Sequence, residues 1–160
     1  MRPTKIFFEI EKSYNEQSNY IRNGVPRRVN PVAALKEAII SFATFGVGNV
    51  HVAPIPELVG LYEDFQTVLK SVLPQEVGFE RLEIRTPEVV VVSSSGEFPI
   101  DGASGGLMSI IQLSWQIFLQ SHVNKSDRYM VLIDEPENHL HPSMQRSFLA
   151  NIVKIGRAHV

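Results

Sequence analysis

Two short stretches of the chain carry residues that could do chemistry. In the first, Asp134 and Glu135 follow the apolar run Met130-Val131-Leu132-Ile133 and precede Pro136. An unbroken apolar run, without alternation, suits a central parallel strand covered on both faces. Such a strand delivers the two acids at its C-terminal end, where α/β sheets place ligands. One carboxylate there suits Mg²⁺, which takes a few oxygen ligands and keeps several waters. The other can orient and polarise a water molecule. The competing reading is a strand that simply ends in acids at a solvated edge. The four apolar residues before the pair and Pro136 after it favour the chemical reading.

The second stretch is Ala103-Ser104-Gly105-Gly106, followed by a helix expected over 107–120. Adjacent glycines let a ligand approach the backbone closely. Free amides at a helix N-terminus, with the dipole behind them, favour an anion, and Ser104 adds a hydroxyl. Taken alone, the stretch also reads as a turn with Ser104 as helix cap. Its place thirty residues before Asp134, with a helix between, favours the anion site.

The elements that must position these residues follow from patterning. Asn30-Pro31 is a cap followed by proline at the first helical position. Leu35, Ala38, Ile39 and Phe42 then recur at helical spacing, and Gly46 and Gly48 are expected to end that helix. After Pro56, the residues Leu58, Leu61, Tyr62, Phe65, Leu69, Val72 and Leu73 form one stripe, which Pro74 stops. Beyond Gly78 the period changes to two in Arg81-Leu82-Glu83-Ile84-Arg85. The β-branched run Val89–Val92 and the turn Ser93–Gly96 follow, which together predict a β-hairpin or meander. The helix after Gly106 presents Leu107, Ile110, Ile111, Trp115, Phe118 and Leu119, and Trp115 is expected in the core. Pro142 opens a last helix with Met144, Phe148, Leu149, Ile152 and Val153 on one side. Lys5–Glu11 is a weaker strand candidate.

Composition narrows the class. The chain has 160 residues, 44% hydrophobic and 20% charged, enough for one domain with a real core. A net charge of −2 gives no overall basic balance toward nucleic acid. Cysteine is absent, which removes disulfides, thiolate metal sites and cysteine nucleophiles and fits a reducing, cytoplasmic setting. The weakly polar stretch 38–56 is broken by Ser41, Thr44, Asn49, His51 and Pro54, so no membrane span is expected. The last six residues, Ile155 to Val160, resemble the translation of a sequencing adapter and are set aside; a genuine tail is the alternative.

Residues 101–106, the following helix and 129–142 resemble the signature motif, Walker B strand and D-loop of ATP-binding cassette (ABC) ATPases. The string Asp134-Glu135-Pro136-Glu137-Asn138-His139-Leu140-His141-Pro142 is similar to the non-transporter branch. That branch holds the DNA-repair, chromosome-maintenance and phage-defence ATPases, including the overcoming-lysogenization-defect type. The resemblance covers roughly residues 80–154. It implies an α/β fold, part of a P-loop NTPase of ABC type. Residues 1–78 would form a mainly helical segment. Residues 79–154 would hold a β-hairpin, the signature helix, a parallel core strand and a final helix.

The resemblance also implies roles. Asp134 would hold Mg²⁺ and Glu135 would orient the attacking water. Ser104, Gly105 and Gly106 would contact, in trans, the γ-phosphate of ATP held by a partner's P-loop, and Asn138 and His141 would lie at the dimer seam. The partners implied are ATP, a second copy in a head-to-tail dimer, and DNA or a nuclease as the object of the work. The pattern also departs from the family. Ala103 and Leu107 stand where leucine and a polar residue are usual, and His141 stands where transporters carry aspartate, which argues against a transporter subunit. No Gly-Lys dipeptide occurs in the chain, so the phosphate-cradling P-loop is not within it, and the chain by itself is expected to be inactive. A non-catalytic interaction module with the same fold is the alternative function, although the presence of both acids argues against it.

Three weaker signals read as structure. His139 and His141 near Glu135 and Glu137 do not match a zinc spacing. Gly46-Val47-Gly48 lacks the third glycine and preceding strand of a dinucleotide fingerprint, and reads as a loop. Arg22, Arg27 and Arg28 could touch nucleic acid but read first as a solvated loop.

Overall fold

The computed structural model describes residues 30–123, 140 and 142–155. Their order is helix α1 (Pro31–Val47), helix α2 (Pro56–Val72), strands β1 (Phe79–Arg85), β2 (Glu88–Ser93) and β3 (Gly96–Pro99), helix α3 (Gly105–Val123) and helix α4 (Pro142–Ile155). Short 3₁₀ turns lie at Gln75–Val77 and Ile100–Gly102.

Helix α1 starts as its sequence dictates: the Asn30 side chain accepts the Val32 N–H at 3.0 Å, with Pro31 at the first helical position. Leu35, Ile39 and Phe42 are buried along one face. Of the two glycines expected to end the helix, Gly48 does so, while the helix runs through Gly46 to Val47. The reason is packing. A Cβ on Gly46 would lie 2.8 Å from Val59 Cγ2 and 2.9 Å from the Val59 nitrogen, so glycine lets the end of α1 meet the start of α2 at backbone contact. The helix ends at Gly48, whose N–H donates to the Thr44 carbonyl at 3.0 Å.

Helix α2 buries Leu58, Leu61, Phe65, Val68, Leu69 and Val72 and contacts α1, α3, α4 and β1. Leu73 is already extended, as the residue before Pro74 must be. The strands form the expected meander, an antiparallel sheet of order β1-β2-β3 in which Leu82 faces Val91 and Val91 faces Phe98. All four valines of β2 are buried, as suits a central strand. Among the described residues β1 is an edge strand of this sheet, and α2 blunts it: Gln66 accepts the Leu82 N–H and the Tyr62 hydroxyl donates to the Leu82 carbonyl, each at 2.8 Å.

Helix α3 begins at Gly105, two residues before the sequence-based start, and ends at Val123, beyond the expected Gln120. The paired glycines therefore form its first turn and not a loop before it. Its predicted stripe, Leu107, Ile110, Ile111, Trp115, Phe118 and Leu119, is buried throughout. Helix α4 opens at Pro142 and contributes Phe148 and Ile152 to the same core, with Leu140 buried just before it. Four aromatic rings lock the helices together. Phe65 meets Trp115 edge-on at 4.9 Å, Phe42 lies 5.9 Å from Trp115, and Phe118 stacks on Trp115 at 5.8 Å. Among the described residues no helix is long and apolar enough to cross a membrane.

Candidate functional site

The start of α3 is held at the surface by a buried body. Ile100 is fully buried in the 3₁₀ turn, and Leu107 and Ile110 seat the first turns of the helix. Ala103 packs against the core between them. Ser104 and Gly105 stand exposed between these anchors.

The geometry at Ser104 is that of a loose cap. Its hydroxyl accepts the Leu107 N–H at 3.4 Å, longer than a good N–H···O bond, while its carbonyl accepts the Met108 N–H at 2.8 Å. The Ser104 oxygen is thus only weakly engaged by the helix it precedes. The first-turn amides, by helix geometry, have no acceptor within the helix, and nineteen residues of α3 align their dipoles behind them. A Cβ built on Gly105 meets nothing within 4 Å, and its φ lies outside the left-handed region. Neither backbone conformation nor a close neighbour requires glycine there. An oxyanion would find open access, a hydroxyl and a positive helix end.

A network that the sequence did not announce sets the approach to this turn. The Lys36 ammonium of α1 donates to Asp101 Oδ2 at 2.8 Å and to Glu88 Oε2 at 2.5 Å. Its side chain is 14% exposed, whereas Glu88 and Asp101 are 43% and 47% exposed. The Lys36 hydrogen bond holds the Asp101 carboxyl below the usual carboxylate range. In turn the bonds to Asp101 and Glu88 raise Lys36 above its ordinary value. The three residues come from α1, β2 and the 3₁₀ turn, at sequence separations of 52 and 65. The one sequence signal was a lysine, with Glu37 beside it, in an otherwise uncharged helix.

Of the residues expected to form the site, Ser104, Gly105 and Gly106 lie together at the start of α3. Asp134, Glu135, Asn138 and His141, and the strand expected at 129–133, lie outside the described residues, as do Lys5–Glu11, the arginine cluster and His139. The two flanking departures from the signature pattern both have a structural place: Ala103 packs on the core and Leu107 is 6% exposed. Among the described residues no cluster of His, Asp or Glu could hold a metal ion.

No curated protein and no solved structure matches the chain. A family match does exist, to the AAA ATPase domain, and it spans residues 4–158. It therefore takes in residues 4–78, upstream of the signature-like stretch, as well as the mixed helices and strands described above. ATP binding and hydrolysis are the activities this family brings, and with nearly its whole length matched the chain belongs to the AAA ATPase domain family.

Proposed function

We propose that this chain supplies two different parts of shared ATP sites in a head-to-tail dimer of an ABC-type ATPase from the non-transporter branch. Glu135 orients the attacking water and Asp134 holds Mg²⁺ on one site. Ser104, Gly105 and Gly106 meet the γ-phosphate of ATP bound to the partner on the other. Asn138 and His141 lie along the seam. Mg²⁺, when bound, neutralises charge developing on the phosphate oxygens. Closure on ATP and reopening after hydrolysis then drive work on DNA or on a nuclease partner.

The observation that carries this reading is the exposed start of α3. Its loosely engaged Ser104 and sterically unneeded Gly105 suit a phosphate, while Ala103 and Leu107, where the pattern departs, point their roles into the core. The departures therefore leave the face offered to a ligand as the family pattern has it.

The test uses the full-length protein. Glu135→Gln is expected to bind ATP, stay closed as a dimer and lose turnover. Hydrolysis at the parent rate would show that Glu135 is not the water-orienting group. Ser104→Arg is expected to keep nucleotide binding in the monomer and lose ATP-dependent dimerisation, because it fills the space meant for the partner's phosphate.

A further inference from the structure

We propose that Lys36 is the positioning residue of the Ser104 loop, holding the start of α3 through Asp101 in the orientation that a partner's nucleotide requires. The inference rests on the reading of that loop as a contact made in trans.

The loop between the buried anchors is short. Ile100 fixes its beginning from below and Leu107 fixes the far side. Between them the Ala103 N–H donates to the Ile100 carbonyl at 3.3 Å, a long bond that restrains little. Among the described residues, the Lys36–Asp101 contact is a polar tether that ties the turn sideways to α1. Without it, the exposed Asp101 and Gly102 lose their lateral restraint while Ala103 stays packed on the core.

The arrangement suits placement better than stabilisation. Both acids are nearly half exposed, and ion pairs of that kind add little to folding. The lysine side chain, however, is 14% exposed, and its ammonium is held between two acids. Its three donors can serve two acids at once. The Glu88 arm secures the ammonium to the sheet, and the Asp101 arm passes that fixed position to the loop. A shift of about 1 Å at a group that must meet a phosphate is enough to lose most of the contact.

The experiment compares Lys36→Met, Lys36→Arg, Asp101→Asn and Ser104→Arg in the full-length protein. Three readouts are taken: ATP-dependent dimerisation, nucleotide affinity of the monomer, and hydrogen exchange of the backbone amides at 101–106. Lys36→Met and Asp101→Asn are expected to weaken dimerisation about three- to ten-fold. They should also speed exchange in that segment while leaving monomer nucleotide affinity at the parent value. Lys36→Arg is expected to recover part of both effects. Unchanged exchange at 101–106 in Lys36→Met and Asp101→Asn overturns the positioning role, and so does parent-like dimerisation in both. If Ser104→Arg dimerises normally while exchange still rises in Lys36→Met, Lys36 positions the loop but the loop is not the contact in trans. That result overturns the functional reading on which the proposal stands. Asp101→Asn is nearly isosteric and surface-exposed, so it keeps the test open if Lys36→Met folds poorly.

Discussion

The Tyr62 hydroxyl donates to the Leu82 carbonyl at 2.8 Å, across the junction of α2 with the edge of the sheet. One helical turn on, Gln66 takes the N–H of the same residue. Both outward-facing main-chain groups of Leu82 are thus satisfied by one helix, which fixes α2 to the sheet in register as well as by apolar contact.

This pair gives a first expectation. Tyr62→Phe keeps the ring and removes the donor, leaving a part-buried carbonyl without its partner. A loss of about 1 kcal/mol in unfolding free energy is expected, read from urea denaturation. Burial pushes the Tyr62 hydroxyl above its ordinary value of 10.0. The folded state thus holds this proton more tightly than the unfolded chain, so the contribution is intact below that value and is lost as pH rises through the folded one. The stability difference between parent and Tyr62→Phe should shrink in strong alkali, and a constant difference would mean that the hydroxyl does not carry it.

Acid should act on the Lys36–Asp101 contact with the opposite sign. The Lys36 hydrogen bond lowers the Asp101 carboxyl. Its stabilising effect is therefore present above the ordinary aspartate range and disappears as pH falls through the lowered folded value. With Asp101 47% exposed, screening keeps the effect below about 1 kcal/mol. Asp101→Asn is expected to be slightly less stable than the parent near neutrality and equal to it in acid. A gap that persists unchanged in acid would assign the effect to something other than the carboxylate charge.

Phe65 is 1% exposed and touches both Trp115 and Phe118. Phe65→Ala removes the ring that joins α2 to α3 and leaves a cavity in the centre of the helical layer. A loss of about 3–5 kcal/mol is expected, with Trp115 fluorescence shifting to the red as water reaches it. Phe65→Leu, which refills most of the volume, should recover a large part of that loss.

Much of this architecture was legible in the sequence. The stripes of α2 and α3 and the valine run of β2 were readable because periodicity encodes which face is buried, and those faces are buried here apart from the half-buried Tyr62. The end of α1 fell at Gly48, one of the two glycines expected to close it, whereas α3 begins and ends beyond its expected bounds. Gly46 and Gly105 looked like breakers, but a glycine inside a helix costs only about 1 kcal/mol. Close packing offsets that at Gly46, where α1 meets Val59. The Ser104–Gly106 part of the candidate site was visible as a motif. The Lys36 contacts beside it were not, since Lys36, Glu88 and Asp101 meet only through the tertiary fold, and local spacing carries no trace of such a meeting.

Gly105 offers the sharpest separation of folding from function. It lies in the first turn of α3 with open space around its Cα, so alanine there meets no clash. Alanine also restricts the unfolded chain and suits a helix better. Gly105→Ala is therefore expected to raise stability by a few tenths to about 1 kcal/mol. If the partner's phosphate approaches this backbone, the added methyl occupies the path, and the same substitution should weaken ATP-dependent dimerisation and turnover of the full-length protein. Gly60→Ala in α2, where a Cβ also meets nothing within 4 Å, serves as the control that gains stability without functional loss. Opposite movement of stability and activity in Gly105→Ala, with Gly60→Ala changing stability alone, is the outcome that the trans-contact reading requires. Full activity in a stabilised Gly105→Ala protein would remove Gly105 from the site.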